Sequence, residues 1–488
     1  MKRASVVRAA YCSMVCLLLL SGICHAESSY FDVDRTMFPY YPSLLKWTKS
    51  SAPFTAPEVC AKCHPKQYEE WTGSSHAQAF QDPLYQGEMN KGFKALGHEV
   101  TRQCEGCHSP AGVVTEEIKG PGLAGLSRMA LAGVSCDICH SVSAVTHFET
   151  PSNEPENGSL VLTPGEDTKD GMRLIKYGPS KPADGCGGGF HVCKESTLHV
   201  RAEMCGACHQ LSHYKSFFPI ESTYIEWRNS PYAQKNILCQ DCHMVDIDTF
   251  IRTADTLLKP VPSKYHHYFG GANYLLSYFA EAAALKAGDT KLATMLRTRY
   301  DRAVAKLKAA ADLEIVPVYR NKALFAVKVT VRNIRAGHFL PTSLTNMRQM
   351  WLEVVAKDAS GQMVMQSGGI DKSGSLSPGT TVFNSEGMGT NFHFALDPWA
   401  VTSFGRNDAI PPKGYKQVEF SLSPLKRKGM VRVEARLRYR QADQSQAKKI
   451  LEDLPADMKL EKLYGLSEIP SLPVVEMVQK KASFTSNQ

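Results

Sequence analysis

"MCGACHQLSHYKSFFPIESTYIEWRNSPYAQKNILCQDCHM", Met204 to Met244, carries the pattern Cys-x-x-Cys-His at both ends. It occurs three more times upstream, so the full set is Cys60-Cys63-His64, Cys104-Cys107-His108, Cys136-Cys139-His140, Cys205-Cys208-His209 and Cys239-Cys242-His243. Two thiols followed directly by an imidazole suit covalent attachment of a c-type haem. The thiols form thioethers to the porphyrin, and the histidine stands ready to bind the iron from the proximal side. A redox Cys-x-x-Cys pair has no use for the histidine, and a zinc site would use such motifs in pairs, whereas five is odd. The expected cofactors are therefore five covalently bound c-type haems.

Working outward, the chain from 27 to 271 is broken by Gly, Pro, Ser and Asn and has only short apolar runs. So little sequence per motif leaves room for short helices and loops, with the cofactors themselves as core. From 272 to 313 the composition turns to Ala, Leu and Lys with apolar residues recurring at three and four. This predicts a helical hairpin broken at Ala287-Gly288 and restarted with Asp289 as N-cap. From 314 to 441 the period becomes two, in "LFAVKVTVRNI", "MWLEVVAKD", "MVMQSG", "YKQVEFSLS" and "VRVEARLRYR", which predicts an antiparallel β-sandwich. The segment 442–488 is a tail with no clear pattern. The expected architecture is thus a mostly irregular and α multihaem domain, a helical segment and a C-terminal antiparallel β-sandwich.

Residues 1–26 read as a signal peptide: Lys2, Arg3 and Arg8 precede the apolar run Met14–Leu20, and Cys24-His25-Ala26 offers a cleavage site. This predicts an exported protein of the periplasm or cell surface. No later stretch is long enough to span a membrane. The formal net charge of +8 does not argue for nucleic acid: three of its positive charges lie in the leader, the rest are mixed with Asp and Glu, and each haem adds about two propionates.

Three stretches resemble known proteins. "VCAKCHPKQYEEWTGSSHAQAF", Val59 to Phe80, resembles the opening of multihaem cytochromes c related to the tetrahaem electron carrier of hydroxylamine oxidoreductase. The stretch from Met204 to Met244 resembles the paired motif segment of multihaem cytochromes from metal-reducing bacteria, and "RAGHFLPTSLTNMRQMWLEV", Arg335 to Val354, resembles the start of their β domain. The resemblance implies that His76 and His338 bind iron on the distal side. It also implies that His266 or His267 approaches a haem, His267 being preferred. His147 is a candidate by position. The fifth ligand is open among His191, His199 and His213, with His199 favoured. Cys186 and Cys193, in "CGGGFHVCK", have too many residues between them for the standard attachment site and read as a disulfide in an oxidising compartment, with an unusual haem site as the alternative left open.

The expected function is electron transfer between redox proteins, either cytochromes or membrane quinol-linked complexes, in anaerobic respiration, with no catalytic residue. The alternative is an oxidoreductase acting on a small nitrogen, sulfur or selenium compound at a five-coordinate haem. Assembly into an oligomer or a larger haem array is left open, and so is whether the chain is an enzyme.

Overall fold

The computed structural model describes residues 43–261, 265–425 and 428–486; the expected signal peptide, residues 1–26, lies outside them. The chain is a mixture of helices and several small sheets. Among the described residues no helix is long and apolar enough to cross a membrane.

The motif segment is built from short helices: α1 (Pro57–Ala61), α2 (Pro65–Thr72), α3 (Pro83–Leu96), α4 (His98–His108), α5 (Cys136–His140), α6 (Glu203–Gly206) and α7 (Cys239–His243). Proline opens α1, α2 and α3, where its missing N–H costs nothing. Asp82 caps α3 by accepting from the Leu84 N–H at 2.8 Å. Small strand pairs fill the gaps, such as Val142–Val145 against Leu160–Leu162.

The helical pair follows, α8 (Leu275–Lys286) and α9 (Thr290–Ala310). The break falls at Gly288, in the left-handed region at φ +75°, and Asp289 caps α9 by accepting from the Leu292 N–H at 2.9 Å. No loop separates α9 from the next element: β1 (Ala311–Arg320) begins at the following residue, earlier than the period change in the sequence suggests. β1 pairs antiparallel with β2 (Ala323–Asn333), which pairs with β5 (Tyr415–Ser421), the order being β5-β2-β1. A separate four-stranded antiparallel sheet has the order β4-β3-β6-β7, from β3 (Gln349–Lys357), β4 (Met363–Ser367), β6 (Gly429–Arg440) and β7 (Val475–Ser486).

The strand period has a direct cause. In β6, Val431, Val433, Ala435, Leu437 and Tyr439 are buried while Arg432, Glu434, Arg436 and Arg438 face outward or lie half-buried. Val327, Val329 and Val331 of β2, Leu352 and Val354 of β3 and Leu437 join one apolar cluster with Ala303 and Leu307 of α9. Each such side chain contributes roughly 1.5–3 kcal/mol by burial. The cluster ties the helical pair to the sheets.

The tail is not an appendage. It folds as helix α10 (Gln444–Glu452), passes through a 3-10 turn (Ala456–Met458) and a short helix (Leu460–Tyr464), and returns as β7 to complete the sheet against β6, with Leu437 opposite Val478. The alternation in "VEMVQKKASFTS" is partly polar on both faces because β7 is an edge strand, which hides it from a hydrophobic-period reading.

Candidate functional site

Within the motif helices the two cysteines are three residues apart and the histidine is four from the first. One helical turn places all three side chains on one face. In α5 and α7 the whole motif is one turn, and in α4 it forms the last turn. All five motifs line a single cavity of about 1830 Å³. The thiols of different motifs approach one another, Cys60 with Cys136, Cys107 with Cys208 and Cys205 with Cys239. Cys139 lies within electrostatic reach of both Cys205 and Cys208. The fourth motif therefore meets the second and the fifth and lies near the third, while the first joins the third.

Three of the motif histidines are oriented by a backbone carbonyl. Nδ1 of His108 meets the Ala79 carbonyl at 2.8 Å, Nδ1 of His140 the Tyr177 carbonyl at 2.6 Å, and Nδ1 of His243 the Gly270 carbonyl at 2.7 Å. A carbonyl partner fixes the proton on Nδ1 and leaves Nε2 as the lone-pair donor. Burial holds these imidazoles neutral: it pushes His108 down to about 4 and His243 well below its ordinary value. Burial also raises the thiols of Cys104, Cys139 and Cys242 to about 12. Among the described residues no three His, Cys, Asp or Glu side chains converge to hold a bare metal ion.

The opposing histidines supply the test of fit. Two imidazoles sharing one metal on opposite sides, with metal–nitrogen bonds of about 2 Å, have ring centroids about 6 Å apart. His76 stands 6.2 Å from His209, His338 stands 6.2 Å from His243, and His267 stands 6.4 Å from His140. Burial pushes His76 down to about 3 and His267 to about 4; the Nδ1 atoms of both are buried without a hydrogen bond, that of His267 3.9 Å from the Glu70 carboxylate. The donor set, the gap between rings and the thiol pairs fit a c-type haem at these positions.

The other candidates separate by their bonds. Glu70 accepts from His266 Nδ1 and from the His267 N–H, both at 2.8 Å, which ties His266 away and leaves His267 facing the cavity. His199 lies 5.4 Å from His140, nearly parallel, but its Nε2 meets the Cys139 carbonyl at 3.0 Å. His147 sits in a 3-10 turn with its Nδ1 buried and unpartnered, beside Phe148 rather than a motif histidine. His213 has both nitrogens engaged, Nε2 with the Trp399 carbonyl and Nδ1 with the Lys215 and Ser216 N–H groups. Cys186 and Cys193 are disulfide-bonded, with His191 Nδ1 3.7 Å from Cys193 Sγ.

Two functional side chains carry no sequence signal. The ring stacked on His108, 3.8 Å away and 5° from parallel, belongs to Tyr85, whose hydroxyl is buried and unpartnered. Glu226 accepts from the Phe339 N–H at 3.0 Å and the Thr342 hydroxyl at 2.6 Å, so it anchors the loop that carries His338.

A sequence profile described as cytochrome c554 and c-prime matches residues 59–141. No curated protein matches. Among solved structures the chain is similar to a penta-heme cytochrome c552 from Thermochromatium tepidum, with 19% identity and a TM-score of 0.58, covering 88% of this chain and 99% of that one. At that identity the likeness speaks for the fold.

Proposed function

We propose that this multihaem c-type cytochrome carries five covalently bound haems and relays single electrons between redox partners outside the cytoplasm. The observation that carries the reading is the row of opposed imidazoles in one continuous cavity, His76 with His209, His267 with His140 and His338 with His243. Haem bound there supplies a one-electron iron couple. The chain's own part is to hold neutral imidazoles on both sides, keep the motifs close to one another, and exclude water.

Two-histidine ligation gives lower potentials than histidine with methionine, which suits anaerobic respiration and partners such as other cytochromes or quinol-linked membrane complexes. Of the ten motif thiols Cys63 alone is exposed, so the first motif is the edge a partner would meet. The two C-terminal sheets are read as one sandwich because strands of both contribute to a single apolar cluster. The periplasm or cell surface is the matching location, with residues 1–26 as leader.

A second reading rests on the second motif, where Tyr85 packs directly on the His108 ring at 3.8 Å and, among the described residues, no imidazole stands opposite it at the spacing of the other pairs. On that reading the second motif keeps an open position where a small nitrogen, sulfur or selenium compound reacts.

Intact-mass measurement counts the haems, and the oxidised spectrum counts high-spin irons. Five additions with only low-spin signals support the relay. One high-spin signal that shifts with nitrite, sulfite or hydroxylamine supports the second reading, and a mass short of five haems overturns the count.

A further inference from the structure

Helix α9 turns two cations toward the motif segment, Arg299 and Lys306, two helical turns apart and so on one face. Arg299 is only 8% exposed. Its guanidinium donates to the Gln78 side-chain oxygen at 3.0 Å and to the Ser75 hydroxyl at 2.7 Å, both neutral. The Lys306 ammonium donates to the Cys242 carbonyl and lies 5.2 Å from the centre of the Phe250 ring. Among the described residues no carboxylate stands within ion-pair distance of either. Arg297 on the same helix, by contrast, reaches both Glu281 and Asp301. Asp82 acts on Arg299 only at longer range, and it is engaged by the Leu84 N–H.

A buried cation without an anion costs several kcal/mol. A fold that keeps one such cation, Arg299, and a second, half-buried one, Lys306, on one face implies anions brought by something other than the chain. Their neighbours say where: Ser75 precedes His76, and Cys242 precedes His243. Each cation thus flanks one opposed imidazole pair, His76 with His209 or His243 with His338. We propose that Arg299 and Lys306 form a carboxylate-binding face that receives one propionate each from the haems held at His209 and His243. This rests on the haem reading above.

The chemistry matches the two residues differently. The planar guanidinium can hold a carboxylate through two parallel N–H bonds, and the ammonium acts as a point charge. A fixed cation beside each haem edge disfavours the extra positive charge of oxidised iron, so both sites are held at higher potential than without it. Paired with a cation, each propionate stays ionised across the working range of pH.

The test uses the haem-loaded full chain carrying Arg299→Gln, Lys306→Gln or both. Arg302→Gln serves as control, since Arg302 is exposed and lies over the Tyr268 ring. Intact mass gives the haem count, and potentiometric titration at several pH values gives the midpoints. Each single variant is expected to keep its haems and lower one midpoint. That midpoint should also fall as pH rises through the mildly acidic range, because the freed propionate now titrates; a purely structural role would not create that slope. The double variant should move two separate steps, and Arg302→Gln none. Arg299→Lys restores the charge without the fork and should bring the midpoint most of the way back. Unchanged midpoints and pH profile in variants with a full haem count overturn the proposal. If Arg299→Gln fails to accumulate, the midpoints of Lys306→Gln and Arg299→Lys decide between the same two outcomes. Absence of haem from the parent protein would instead overturn the function on which the proposal rests.

Discussion

The imidazoles of His243 and His338 lie 6.2 Å apart and 21° from parallel, one ending the last cysteine motif and the other in a loop between β2 and β3. Nδ1 of His338 meets the Phe339 carbonyl at 2.9 Å, which leaves Nε2 for the facing side. His338→Ala should therefore convert one low-spin haem to high spin with the haem count unchanged. Electron paramagnetic resonance of the oxidised protein reads this directly, and an unaltered spectrum removes His338 from the ligand set.

Glu226 holds that loop through two hydrogen bonds, and burial pushes its carboxyl up to about 7. A carboxyl raised on folding binds more protons in the native state between its ordinary value and 7. Its contribution to stability therefore falls as pH rises from about 4.5 to 7 and is flat outside that window, by at most about 3 kcal/mol. Glu226→Gln keeps an acceptor for both donors and should flatten this slope in denaturant titrations. Glu226→Ala leaves donors unpaired, costs about 1–3 kcal/mol and should raise the high-spin fraction at His243. Equal slopes in the parent and Glu226→Gln would rule the assignment out.

Gly133 sits in the left-handed region at φ +60°, and a Cβ there would lie 2.4 Å from the His76 carbonyl oxygen. That oxygen also accepts from the Val134 N–H at 2.9 Å. Gly133→Ala must displace the His76 turn, at about 1–2 kcal/mol for the backbone alone plus the clash. The expected result is a lower denaturation midpoint together with a disturbed spectrum at the His76 site. A stable variant with the parent spectrum would contradict the close approach.

Cys186 and Cys193 close a loop with a sequence separation of 7. Replacing both by Ser should cost about 2–3 kcal/mol through the entropy of the unfolded chain while the haem count by mass stays the same. Loss of one haem would mean that these thiols attach a cofactor after all.

The reach of the sequence is clearest in the motifs. Cys-x-x-Cys-His is a local device, three side chains on one helical turn, so its chemistry is legible without a fold. The same holds for the Asp289 cap and the alternation of β6, which depend on neighbours a few residues away. The distal side was harder: His76 and His338 came from resemblance, and the choice between His266 and His267 depends on Glu70, far off in the chain. Tyr85 and Glu226 had no signal at all, because a phenol on α3 and a carboxylate on a short helix look like surface residues until the partner segment is brought against them.

What the sequence determined by itself is therefore the cofactor chemistry and the succession of motif, helical and strand regions, since both are written in spacings shorter than one element. The tertiary structure alone decided which imidazole faces which, that the fourth motif meets the second and the fifth, and that the tail returns as β7. Those are contacts between segments far apart in the chain, fixed by shared burial and by pairing of buried polar groups, and no local pattern encodes them.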